Sequence, residues 1–201
     1  MKRFLLVFSF MFLVFPYEGM GQRSALLLID IQDFYFPGGR SALVEPEKAA
    51  QNAAVLLDHF RKEKLTVIHV RHNAEQGGMI RNIVKPLPGE MVFSKDEVNC
   101  FVGTGLLDSL RSNRIDTLVI CGMQTHMCVE AATRAASDFG FKCILVQDAC
   151  ATKDLKYGDR LIKAEDVHYT TLATINNVYG KVIDLKTFKE NPDQYLFSKL
   201  K

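Results

Sequence analysis

Three side chains in this sequence belong to types that do chemistry together: the carboxylate of Asp30, the amine of Lys95 and the thiol of Cys128. Cys128 lies in "CGMQTHMCVEAATRAASDFG" (121–140), just inside the start of a predicted helix and directly after a strand-like run. Thr125 is the expected N-cap. The free N–H groups and the dipole of a helix start favour an anion, so a thiol there is expected to have a lowered pKa. The same N–H groups suit an oxyanion on an attacked carbonyl. A buried cysteine packing helix against sheet fits the position equally well. Asp30 ends a strongly apolar run, where a carboxylate is costly unless exposed or paired; helix capping or loop bonding is its simpler role. Lys95, in "VFSKDEVNCF", reads by itself as a solvated surface charge. Brought to one pocket, the three would form a nucleophile, a base and an orienting group. Spacing leaves that convergence open.

The elements that would have to position them alternate along the chain. "SALLLIDI" (24–31) is a continuous apolar run, as for a strand covered on both faces. "QDFYFPGGR" breaks it into a loop. "PEKAAQNAAVLLDHFRKEK" (46–64) has helical spacing, with Pro46 suited to the first turn. "LTVIHVRH" (65–72) is a second strand, and 73–93 reads as an irregular excursion. A short helix (104–114), a third strand (116–123), the Cys128 helix ended by Gly140, and a fourth strand (141–151) follow. A long last helix (159–180), an edge strand (181–188) and a polar tail complete the chain. This alternation predicts an α/β fold: three layers, doubly wound, with a mainly parallel sheet and helices on both faces. Ligands bind such sheets at the carboxyl ends of the strands. Three places qualify: Asp30 with Gln32, His72 with its loop, and the turn from Gly122 to Cys128.

With 201 residues, 48% of them apolar, the chain suits one domain with a sizeable core. A net charge of +2 without a basic stripe gives no support to a nucleic-acid partner. Residues 1–21 have the layout of a secretory signal peptide: basic "MKR", an apolar run over 4–15, then Gly19 and Gly21 at small-x-small positions before Gln22. The apolar run is shorter than the about 20 residues of a spanning helix, so no stable membrane anchor is expected. The domain is then 22–201, in a periplasmic or extracellular protein. Of the five cysteines, Cys100, Cys121, Cys128, Cys143 and Cys150, none forms a C-x-x-C, and all five are expected as thiols protected by burial.

"ALLLIDIQDFYFPGG", "FSKDEVNCFVGTGLLDSL" and "DTLVICGMQTHMCVEAATRAASDFGFKCILVQDACAT" together resemble the isochorismatase-like cysteine hydrolases, a superfamily that includes nicotinamidase and N-carbamoylsarcosine amidohydrolase. The resemblance runs in order over residues 24 to 185, and departs from the family in having "NCF" where many members have Ser-Ala-Phe. It implies a catalytic triad of Asp30 as acid and base, Lys95 as the orienting cation and Cys128 as nucleophile. It also implies a cis peptide at Met123–Gln124 and an oxyanion hole from the backbone N–H groups of Gln124 and Cys128. The implied reaction is hydrolysis of a small non-peptide amide, carbamoyl or ureido C–N bond through a Cys thioester.

Two departures narrow this. Nicotinamidases carry an Asp-x-His and a further His that bind metal; "VIHVRHNAEQGGMI" holds His69 and His72 but no Asp-x-His, so no metal and no other cofactor is expected. His69, inside the strand, reads as a core residue. Siderophore-type isochorismatases lack the cysteine, so Cys128 favours C–N over vinyl-ether hydrolysis. Gln32, Phe34, Phe36, His72, Phe101, Thr125 and His126 flank the matched blocks and are candidates for the substrate pocket; as bare aromatics, the phenylalanines suit the core as well. His168, in the last helix, is expected to make a structural hydrogen bond. The expected partner is a small-molecule substrate, in a homo-oligomer. A vinyl-ether hydrolase and a catalytically silent binding or redox protein are the alternatives.

Overall fold

The computed structural model describes residues 23–197. The signal-peptide reading of residues 1–21 lies outside them. β1 (Ser24–Ile29) is buried along its whole length, which its uninterrupted apolar sequence requires. α1 (Pro46–Lys62) starts with proline in its first turn and buries Ala49, Ala50, Ala53, Leu56, Leu57 and Phe60, spaced three and four apart on one stripe. β2 (Thr66–His72), β3 (Met91–Lys95), β4 (Thr117–Met123), β5 (Lys142–Ala151) and β8 (Lys181–Ile183) join β1 in a six-stranded sheet of order β3-β2-β1-β4-β5-β8. Every pairing in it is parallel.

That order reverses between β1 and β4. Right-handed crossovers then put the connection leaving β1 toward β2 on one face. The helices that lead the other way, α2 (Leu106–Ser112), α3 (Glu130–Asp138) and α4 (Ala164–Ile175), fall on the opposite face. The result is the expected three-layer, doubly wound α/β fold. α5 (Leu185–Glu190) returns to the α1 face, where Phe188 stacks on Phe60 at 6.5 Å. The reversal between β1 and β4 is the switch point at which open parallel sheets hold ligands.

Several boundaries differ from the sequence expectation. The excursion 73–93 runs into edge strand β3, whose Val92 and Ser94 face outward; only alternate residues are covered, so no apolar run marks it. The long last helix is a small antiparallel hairpin, β6 (Leu155–Tyr157) and β7 (Arg160–Ile162), followed by the shorter α4. The last strand stops at Ile183 because Asp184 caps α5, its side chain accepting from the Thr187 N–H. The polar tail contains α6 (Pro192–Leu196), which buries Tyr195 and Leu196.

Candidate active site

Asp30 follows β1 with φ 51°, a left-handed conformation that aspartate adopts more readily than most residues. Its N–H donates to Val70 O, which fixes the turn on β2. Lys95 is the last residue of β3, paired in register with His72. β4 ends in Gly122 and Met123, and the Met123–Gln124 peptide is cis. A π-helical turn, Thr125–Val129, then carries Cys128 before α3 begins. The Val129 N–H reaches back five residues to Gln124 O, a widened turn common at functional sites. The expected helix start is therefore shifted: Gln124, not Thr125, is the capping residue. The Thr125 hydroxyl is instead 2.9 Å from His168 Nδ1.

These three strand ends bring the carboxylate, the amine and the thiol together. Lys95 Nζ is 2.7 Å from Asp30 Oδ2 and 3.3 Å from Cys128 Sγ, with the Lys95 and Asp30 side chains fully shielded from solvent. The Asp30 carboxylate is close enough for its charge to act on the Cys128 thiol. Burial pushes Asp30 above the ordinary carboxylate range, against the pull of Lys95. Burial works the other way on Lys95, but the Asp30 and Cys128 charges more than offset it and hold the ammonium above its usual value. Cys128 departs from the expected lowering. Burial first, then the Asp30 charge, push its thiol up to about 12, with Lys95 opposing. The largest cause is the loss of water around a thiol only 6% exposed. Cys100, also pushed up to about 12 by burial, is close enough to feel all three charges.

The other flanking residues take varied places. Gln32 is wholly buried and spends its amide on backbone: Nε2 donates to His72 O and Gly78 O, and Oε1 accepts from the His72 N–H. It pins the excursion to β1 and β2. His72 is half-buried and near enough to lower Asp30 slightly. Phe34 packs edge-on against Tyr35, Phe36 lies under Arg81, and Phe101 packs edge-on against Phe139. His126 Nδ1 is 2.6 Å from Thr152 Oγ1. His69 is buried as a core residue, with Nε2 2.9 Å from Glu90 Oε2. Tyr35 was not among the expected site residues. It sits between two phenylalanines in "DFYF", and only its hydroxyl, which receives a bond from Gln124 Nε2 at 3.3 Å, sets it apart.

Cavity size does not locate this chemistry. A 940 Å³ groove between α1, β2 and β3, lined by Phe36, Arg71, Met79, Arg81, Val92 and Ser94 among others, contains none of the three residues. A 440 Å³ cleft at the end of β5 includes Cys150, Thr152 and His168 and none of the three residues; its His168 and Thr152 bond to Thr125 and His126 of the π turn. The convergence of charged groups, not volume, marks the site.

Comparison with known proteins identifies the family. The chain is 44% identical over 176 residues to the isochorismatase family protein YddQ of Bacillus subtilis, covering 82% of this chain and 98% of that one. It is 29% identical to the maleamate amidohydrolase of Pseudomonas putida, over 82% of this chain and 84% of that one. The crystal structure of an isochorismatase hydrolase from Oleispira antarctica superposes with a TM-score of 0.81 at 36% identity, covering 85% of this chain and 97% of that one. The model of the isochorismatase domain matches residues 24–187. The chain belongs to the isochorismatase family of hydrolases.

Proposed function

We propose that this hydrolase cleaves a small non-peptide amide, carbamoyl or ureido C–N bond through a thioester on Cys128. The observation that carries the reading is the buried contact of one ammonium, Lys95, with both Asp30 and Cys128. The maleamate amidohydrolase among the relatives is, by its name, an amide hydrolase, which supports the C–N assignment.

The resting site holds the Asp30 carboxylate, the Lys95 ammonium and the Cys128 thiol. The thiol proton does not leave in advance, because burial holds it up to about 12. It passes to Asp30, whose own raised pKa narrows the gap, as the sulfur attacks the carbonyl carbon. Lys95 stabilises the negative charge on the sulfur during this step. The backbone N–H groups of Gln124 and Cys128 donate to the oxyanion. The tetrahedral centre collapses, the C–N bond breaks, and Asp30 returns its proton to the leaving nitrogen. Water then attacks the thioester and gives a proton to Asp30. The C–S bond breaks, and that proton restores the thiol.

Mass spectrometry after exposure to a panel of small amides and ureas tests this. The expected result is an acyl adduct on the Cys128 peptide, absent in Cys128→Ala, accompanied by release of ammonia or an amine. Pyruvate release from isochorismate with no amide turnover would instead assign vinyl-ether hydrolysis. No turnover of either kind and no adduct would leave a binding protein. The layout of residues 1–21 further supports export with cleavage before Gln22; the amino-terminal sequence of the mature protein decides it. We propose a homo-oligomer of the exported chain, for which light scattering is the measurement.

A further inference from the structure

Two polar side chains beside Cys128 have no part in the mechanism above. Gln124 is 5% exposed, and its Oε1 has no hydrogen-bond partner among the described residues. Its Nε2 donates to the hydroxyl of Tyr35, itself 7% exposed, from the turn just after Asp30. A phenol that accepts one bond still has its own proton to donate. Burial chiefly, with the charges of Cys128 and Asp30 acting in the same direction, keeps that proton on Tyr35. A buried acceptor without a donor is costly, and native structures keep few of them. Gln124 also directly follows Met123 and precedes Cys128 by one turn, so its side chain is carried by the segment that carries the nucleophile.

We infer that Gln124 and Tyr35 form the specificity element of the site, reading an uncharged, N–H-bearing carboxamide or ureido group next to the carbonyl that Cys128 attacks. Gln124 Oε1 accepts from the N–H of that neighbouring group, and the Tyr35 hydroxyl donates to its carbonyl oxygen. A carboxylate brings no donor and meets the unpaired Oε1 unfavourably. An N,N-dialkyl amide likewise has no N–H to give. The inference deepens the proposed function and rests on that reading for the neighbouring Cys128 chemistry.

The test separates the two. p-Nitrophenyl acetate acetylates a competent Cys128: the C–S bond forms, nitrophenolate leaves, and the thiol proton passes to Asp30. Propionamide, N,N-dimethylpropionamide and propionate are then compared as competitors of that burst. Propionamide should compete at least about tenfold more tightly than either of the others, the discrimination expected of a buried hydrogen-bonding site. In Tyr35→Phe and Gln124→Met this ratio should fall toward one. A general folding defect would weaken all three competitors alike and leave the ratio standing. Equal competition by propionate or the dimethyl amide in the unaltered protein, or a ratio preserved in both variants, overturns the inference. If the unaltered protein gives no burst, the thioester reading fails. Calorimetric titration of the same protein with propionamide and propionate then still decides the specificity element, with preferential binding of propionamide supporting it and none overturning it.

Discussion

The Lys95 ammonium stands 2.7 Å from Asp30 Oδ2 with both side chains shut off from water. Removing one member of such a pair leaves a buried charge alone, at a cost of about 3–5 kcal/mol. Asp30→Asn should therefore melt well below the unaltered protein, and turnover should fall roughly 10²–10⁴-fold for want of a proton acceptor. The double variant Asp30→Asn/Lys95→Met removes both charges. It should regain much of the stability and none of the activity. Thermal melts beside turnover assays check this; near-normal turnover in a folded Asp30→Asn protein would take Asp30 out of the mechanism.

Cys128 should be a slow target for simple alkylation at neutral pH, because its thiol is pushed up to about 12. The reactive form is the thiolate, whose fraction grows about tenfold per pH unit below the pKa. Iodoacetamide labelling of the Cys128 peptide should rise on that slope between about pH 7 and pH 10. Lys95→Met should slow it further, since Lys95 is the charge that favours the thiolate. A labelling rate already flat at neutral pH would show a thiolate at rest and contradict the burial argument.

Glu90 ties the end of the excursion to the sheet. Its carboxylate takes two bonds from Arg61, one from the Leu87 N–H, and faces His69. Burial raises its pKa, but these donors outweigh it and hold Glu90 at about 2, below the usual 4.5. A depressed carboxylate contributes stability above its unfolded pKa and loses it as pH falls through the folded one. Neutral, buried His69, whose pKa is lowered chiefly by burial, acts in the same sense. The melting temperature should therefore begin to drop as pH falls below about 6.5, through His69, and more steeply below about pH 5, through Glu90. Glu90→Gln should melt lower at neutral pH and show a flatter acid limb; equal slopes for the two proteins would remove Glu90 as the cause.

The parts of this molecule legible in the sequence are those with a pattern denser than their surroundings. β1 is apolar at every position because both its faces are covered, and α1 shows its stripe. Edge strand β3 is covered on one side only, so its signal was diluted into the excursion. The hairpin β6–β7 is mostly exposed and leaves no apolar period to read. At the site, the resemblance pointed to Asp30, Lys95 and Cys128 across three separate segments, and the fold brings them within hydrogen-bonding reach. The direction of the Cys128 shift was not legible. A helix start is visible in sequence, whereas the loss of solvent around the thiol, the largest cause of its shift, depends on tertiary packing around the π turn. The position of Gln32 after Asp30 suggests a pocket residue, yet its amide is consumed by His72 and Gly78, partners 40 and 46 residues away.

Gly122 is where the strands and the nucleophile turn meet, and it tests how tightly they must meet. The pairing of β4 with β5 breaks register between Ile120 and Gly122, and Gly122 takes φ 132°. A Cβ built there would overlap the carbonyl oxygen of Ile29, the last residue of β1 before Asp30. Gly122→Ala thus forces β4 away from β1 at the point where Asp30 and the Cys128 turn are set against each other. Backbone strain and overpacking together should cost about 3 kcal/mol or more, lowering the melting temperature by roughly 6–12 °C for a domain of this size. Gly103→Ala is the control: its φ of 68° is also left-handed, but nothing lies within 4 Å of an added Cβ. It should lose only the conformational part, about 1 kcal/mol. The difference between the two melts isolates the close approach of β4 to β1. Similar melts for both variants would mean that the strand contact yields easily and does not set the distance between Asp30 and Cys128.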